Sequence, residues 1–329
     1  MTIRTVFSAA LLSATVLANA ASSQAPAAVS APPPLPKGVP AFEVVQLNAF
    51  TWYGRFGYTN CAFIDMGDGV LVIDTGWTKQ DAENLKAQIK EKTKGKPVRW
   101  IVMTQTDIDS NGGIEAFLPT DATVFVHARA VDPLSRSVLR VVPGEKRPTI
   151  VGVSDRLVVN AGGGRLEMIA SSGGAHSAYD LVAVSSNSGI AFVGDLVTSG
   201  RCPNLAGGAS DPAGWKSMLA RIEELGPVGL IATRGDPIQA VREELQRTGA
   251  YLERVRGFLS EQKAKASPEA RVAAELSLKD LGAYCPGTVD NANVLALYRR
   301  LRPDGTFAPP AETAPAPAKP TPAAGKAPR

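Results

Sequence analysis

The run Val98-Arg99-Trp100-Ile101-Val102-Met103 empties into Thr104-Gln105-Thr106-Asp107-Ile108-Asp109-Ser110-Asn111-Gly112-Gly113. The first segment predicts a buried strand, because apolar, β-branched and aromatic side chains dominate it. The second is polar, ends on two glycines and precedes the short apolar segment Ile114-Glu115-Ala116-Phe117. A strand that releases polar side chains just before a helix start is where α/β folds place ligands and metals.

The flanking sequence supplies the rest of such a fold. Asn60 to Met66 and Val70 to Ile73 predict two strands joined by Gly67-Asp68-Gly69, the second running into Asp74-Thr75-Gly76. Asp81 to Lys94 has helical periodicity. Further strands are expected at Phe42–Leu47, Thr51–Tyr53, Thr123–His127 and Arg165–Ala170, with another edge of the sheet region over Pro148–Val158. The run Ile190 to Val193 is an apolar strand ending in Gly194-Asp195, and Gly229 to Ala232 leads to Thr233-Arg234-Gly235-Asp236-Pro237. Helices are expected over Ile238–Lys263, Pro268–Leu276 and Asn291–Leu301.

Five landmarks in this order resemble the metallo-β-lactamase fold, over roughly residues 42 to 240. Its signature T-H-x-H-x-D-H-x-G-G follows a strand; here Thr104, Asp109, Gly112 and Gly113 match, while Gln105, Asp107 and Ser110 stand where the histidines belong. The I-D-T-G element is Ile73 to Gly76. The G-x-x-H-[ST]-x-x-D element is matched by His176, Ser177 and Asp180, and the G-D element by Gly194-Asp195. Gly235 occupies the place of the last histidine. The resemblance implies an α/β (α+β) fold, an αββα four-layer sandwich over 41–240. A C-terminal helical segment, 241–304, and a Pro/Ala-rich tail, 305–329, would follow it.

Carried over residue by residue, the resemblance gives the first metal to Gln105, Asp107 and His176. It gives the second to Asp109, Ser110 and Gly235, with Asp195 as the bridge. A dinuclear zinc site of the usual kind uses about five imidazoles, and the whole chain holds only His127 and His176. The dinuclear site is therefore excluded. One Zn, Mn or Fe ion on Gln105, Asp107, His176 and Asp195 remains open, since one imidazole with two carboxylates suits such ions. Asp109, Asp195 and His176 would then be the catalytic groups. The alternative is no metal at all. Crowded carboxylates then need protons or a basic partner, and Arg201 and Arg234 on nearby loops are the candidates. A Ser110–His176–Asp triad is a further, weaker arrangement. His127 is expected to be structural. Asp74 would hold the first metal-binding loop, or simply end its strand.

The N-terminus predicts export. Arg4, the apolar run Val6–Leu17 and Ala18-Asn19-Ala20 compose a signal peptide over 1–20, followed by an Ala/Pro-rich linker over 21–40. The apolar run is shorter than the ~18 residues of a spanning helix, so no transmembrane span is expected after cleavage. The protein would be periplasmic or secreted, where a Cys202–Cys285 disulfide can persist and Cys61 would stay a buried thiol. A net charge of +4 with intermixed signs gives no nucleic-acid footprint. The expected function is that of a binding or accessory protein for a small molecule or a periplasmic protein. The partners of exported dehydrogenases are one class the resemblance brings in. The alternative is a mono-metal hydrolase of an ester, amide, lactam or thioester.

Overall fold

The computed structural model describes residues 42–56, 58–118, 120–139, 144–205, 210–275 and 291–308. The expected signal peptide and linker, Cys285, and the tail from residue 309 lie outside them.

Two sheets form the centre. The first runs β1 (Phe42–Asn48), β2 (Thr51–Phe56), β3 (Thr59–Asp65), β4 (Val70–Ile73), β5 (Val98–Val102), β6 (Thr123–His127) and β7 (Thr149–Val153), in that spatial order. Its first four strands pair antiparallel, as hairpins do, and β4 to β7 pair parallel through crossovers. The second contains β8 (Arg156–Ala161), β9 (Gly164–Ala170), β10 (Leu181–Ser185), β11 (Ile190–Gly194) and β12 (Gly229–Ala232), ordered 12-11-10-9-8. The segment expected to be one sheet edge, 148–158, is thus split. β7 closes one edge of the first sheet and β8 opens an edge of the second.

Strand alternation creates the layers. In β4, Leu71 and Ile73 point between the sheets, where they meet Leu166, Met168, Leu181, Ala183 and Phe192. Val70 and Val72 point outward and pack under Ala82, Leu85 and Ile89 of α1 (Lys79–Lys92). Both faces are apolar, so the strand reads as an unbroken hydrophobic run rather than an alternating one. Thr78 and Asp81 close a reciprocal cap on α1. The helix stops two residues short of the expected Lys94, because Lys94 and Gly95 turn left-handed at φ 55° and 78°.

The outer layer of the second sheet consists of α4 (Pro212–Glu224), α5 (Val241–Ala264), α6 (Glu269–Glu275) and α7 (Asn291–Arg300); α2 and α3 are short helices over Ile108–Asn111 and Val131–Arg136. Trp215, Leu252, Val255, Leu259, Val294 and Leu297 share one apolar cluster with Val193 and Leu230. The C-terminal helices therefore pack on the sandwich as its fourth layer. α5 starts at Val241 and not at Ile238, because Ile238 exchanges two backbone hydrogen bonds with Leu230 and covers the edge of β12. Among the described residues no helix is long and apolar enough to cross a membrane.

Candidate functional site

β4 runs directly into Asp74, which takes the left-handed conformation (φ 56°) that aspartate tolerates better than most residues. Its buried carboxylate accepts from Thr104 N at 2.8 Å, Thr104 Oγ1 at 2.6 Å and Asn111 Nδ2 at 2.9 Å. Asn111 Nδ2 also donates to Gln105 O at 2.9 Å. Asp74 thereby fixes the whole loop after β5. Burial pushes its pKa up to about 6 against the pull of these hydrogen bonds.

The retained glycines serve the same packing. A Cβ on Gly113 would lie 2.3 Å from Thr75 O, and one on Gly112 would lie 2.2 Å from Trp77 O. Both obstacles are backbone and cannot swing aside, so Gly113→Ala should lower stability by about 3 kcal/mol, the upper range for overpacking. A urea-unfolding comparison with the wild type measures it.

At the positions that the resemblance assigns to metal ligands, the side chains bond one another. Gln105 is buried, and its Nε2 donates to Ser110 Oγ at 2.6 Å and Asp195 Oδ2 at 2.9 Å. The end of Gln105 turned to Asp195 is thus a hydrogen-bond donor, not the carbonyl that a metal would need. Arg234 Nη1 donates to both oxygens of Asp195, at 3.0 and 3.1 Å, and Nη2 to Asp109 Oδ2. One guanidinium so joins Asp109, which the resemblance assigns to the second metal, to Asp195, which it assigns as the bridge. Burial lowers the Arg234 pKa and the Asp107 charge opposes that. Its turn is held by Asn60, whose Nδ2 donates to Ala232 O at 2.9 Å and Gly235 O at 2.7 Å. Gly235 itself has φ 87°, and a Cβ there would lie 2.7 Å from both Ser199 Cβ and Ser199 O.

His176 is 1% exposed. Asp180 anchors its loop by accepting from Ser177 N and Oγ, both at 2.8 Å. Asn204 O lies 2.9 Å from Nδ1, and the Trp215 ring meets the imidazole edge-on at 5.3 Å. Nε2 faces Asp107 Oδ2 and Asp195 Oδ2, each at 3.7 Å. Burial alone would lower the His176 pKa, but the surrounding carboxylates of Asp107, Asp195 and Asp180 outweigh it and raise the value to about 9. At neutral pH the ring is an imidazolium and Nδ1 donates to Asn204 O. A group whose pKa is higher folded than the ~6.5 of an unfolded histidine stabilises below that value. Its contribution disappears as pH rises through about 9. Stability should therefore fall by a few kcal/mol between pH 7 and 10, and the fall should be absent in His176→Gln, read by unfolding curves across that range.

The remaining candidates resolve as follows. His127 is buried, accepts from Arg129 N at Nδ1 (3.1 Å) and faces Ser171 O with Nε2 (2.8 Å), which is a structural role. Arg201 is exposed, so of the two arginines only Arg234 joins the carboxylates. The Ser110–His176 pairing is not formed: Ser110 Oγ takes the Gln105 amide, and both His176 nitrogens face other groups. Cys202 is disulfide-bonded and Cys61 is a buried free thiol. Sequence reading did not find Asn111, Asn204 or Trp215. Asn111 sits directly before the paired glycines, but nothing local marks the other two.

These residues do not fit a dinuclear metal centre. Two of the three second-metal positions carry a hydroxyl and a glycine, and the third, Asp109, accepts from Arg234. A single ion on Gln105, Asp107, His176 and Asp195 meets an Asp195 whose two oxygens already accept from Arg234 and Gln105. Among the described residues, no three imidazole, thiol or carboxylate groups are gathered as a metal cage.

A sequence profile described as the Metallo-beta-lactamase superfamily matches residues 54–230, more than half of the chain. The chain belongs to the metallo-β-lactamase superfamily. The alpha subunit of 2,4-dinitroanisole O-demethylase from Nocardioides sp. (strain JS1661) is 23% identical to this chain over 177 residues, which are 54% of this chain and 53% of that one. The chain thus spans about half the length of the curated relative it matches. Among solved structures, a metallo-β-lactamase from Pontibacter korlensis gives a TM-score of 0.55 at 22% identity, covering 64% of this chain and 99% of that one. A stereoselective inverting sec-alkylsulfatase from Pseudomonas sp. gives 0.63 at 16% identity, covering 78% and 50%. At such identities the likeness to the two structures speaks for the metallo-β-lactamase fold alone.

Proposed function

We propose that this superfamily member is an exported, non-hydrolytic binding or accessory protein, in which an internal ion-pair network has taken the place of the dinuclear zinc centre. The observation that carries this reading is Arg234, which bonds Asp109 and Asp195 at once. A guanidinium is permanently charged and forked, so it neutralises two carboxylates without a metal. Gly235 supports the same reading, since its conformation and the Ser199 backbone leave no room for the missing histidine. Export and a periplasmic or secreted location rest on the residues of the N-terminus. The test is a hydrolysis panel on purified, metal-supplemented protein, covering ester, lactam, thioester and alkyl sulfate substrates. No turnover above the zinc-salt blank is expected. Saturable, protein-dependent turnover of any of them would overturn the reading.

The second reading is a hydrolase with one Zn, Mn or Fe ion on Gln105, Asp107, His176 and Asp195. It draws on the equal 3.7 Å separations of His176 Nε2 from the two aspartates. It requires Asp195 to give up Arg234, and it fails if His176→Ala and Asp195→Ala leave metal content and activity unchanged.

A further inference from the structure

Donors and acceptors inside the site do not balance. The Gln105 amide nitrogen is committed to Ser110 and Asp195, and the Asn111 amide nitrogen to Asp74 and Gln105 O. Arg234 is committed to Asp195 and Asp109, and His176 Nδ1 to Asn204 O. Three buried oxygens of these site residues, Gln105 Oε1, Asp109 Oδ1 and Asn111 Oδ1, are left with no hydrogen-bond partner. The Gln105 side chain belongs to a residue only 1% exposed, and its amide lies against Asp195 in the centre of the cluster. Leaving such an acceptor unmatched costs about 1–3 kcal/mol, so a missing donor is expected there. Asp107, with its side chain 41% exposed, forms the open side; its ion-pair partner His176 is 3.7 Å away, beyond hydrogen-bond length. Even with His176 protonated, three carboxylates (Asp107, Asp109, Asp195) face two cations (His176, Arg234).

We propose that the site binds a small organic cation through a primary ammonium group, which enters beside Asp107 and donates to Asp107, Asp109 Oδ1 and Gln105 Oε1. This rests on the reading that Arg234 replaces the metals. An ammonium has three donors and no acceptor, so it matches a site with spare oxygens and committed nitrogens. A carboxylate or carbonyl ligand would find these oxygens repelling it. A divalent ion would need the carboxylate oxygens that Arg234 already occupies. Asp107 is the exposed member of a cluster whose other side chains are largely buried, so a ligand would meet it first.

The experiment is calorimetric titration of the full chain in amine-free, low-salt buffer with n-butylammonium and 1,4-diaminobutane. Sodium butyrate, butan-1-ol and zinc chloride serve as comparators. Saturable one-to-one binding of the ammonium probes is expected, with none for butyrate or butanol. Asp107→Asn, at a half-exposed position that folding tolerates, should weaken it by about tenfold or more, the scale of one charge-assisted hydrogen bond; Asp109→Asn should do the same. No saturable binding of either ammonium, equal binding in both variants, or preferential binding of butyrate would overturn the proposal. If the protein stays metal-free and non-hydrolytic while the amines are silent, this inference alone fails. Stoichiometric zinc binding with hydrolysis would sink both it and the reading beneath it.

Discussion

Arg234→Ala should be the most damaging single substitution at the site, lowering stability by about 3–5 kcal/mol at neutral pH, the cost of breaking a buried ion pair. The variant leaves Asp195 and Asp109 Oδ2 without their cation, and Asp195 is 2% exposed. The residual charge on His176 faces Asp195 from 3.7 Å and does not hydrogen-bond it. Burial already raises the Asp195 pKa, and removing the guanidinium raises it further. An acid whose folded pKa is raised is disfavoured when ionised, so the penalty is full at neutral pH and shrinks as pH falls below the raised value. Arg234→Lys should recover only part of the loss, because a point charge cannot reach both carboxylates as the fork does. Urea unfolding of the two variants between pH 5 and 8 tests each part. A neutral Arg234→Ala would show that the bridge is incidental.

The second large effect is expected from putting the family's histidine back. Gly235→His should destabilise by about 2–4 kcal/mol, combining the left-handed penalty of a non-glycine residue with overpacking. The φ of 87° and the contact at Ser199 act on the Cβ, so Gly235→Ala should be damaged nearly as much as Gly235→His. That pattern separates a backbone obstacle from an imidazole-specific one. Zinc should not rescue either variant in thermal melts. Rescue of Gly235→His alone by zinc would mean that the turn can still accommodate the old ligand.

The scaffold was legible in the sequence because its signals are local. Val70 to Ile73 predicts a doubly buried strand, and the motif residues Thr104, Gly112, Gly113 and Gly194 hold the positions that the fold needs for packing. The co-location of Asp107, His176 and Asp195 followed from their order along the resembling strands, and the ion-pair alternative with Arg201 or Arg234 was visible too. What sequence did not decide was which arginine. Arg234 reaches the carboxylates because Asn60, 174 residues earlier in the chain, fixes its turn. Arg201 sits on an exposed loop. The helix α4 went unassigned although Asp211-Pro212 is a helix start. Gly214 in its first turn weakens the periodic signal, and that glycine is there because a Cβ would lie 2.1 Å from Gly174 O in the His176 loop. Long-range contacts of this kind leave little trace in local pattern.

Elemental analysis of the protein, expressed from the full chain and purified without chelator, tests metal replacement most directly. With Arg234 and His176 as the resident cations, zinc, manganese and iron should each be far below one equivalent, in wild type and His176→Ala alike. About one equivalent of any of them, lost in His176→Ala, would contradict it.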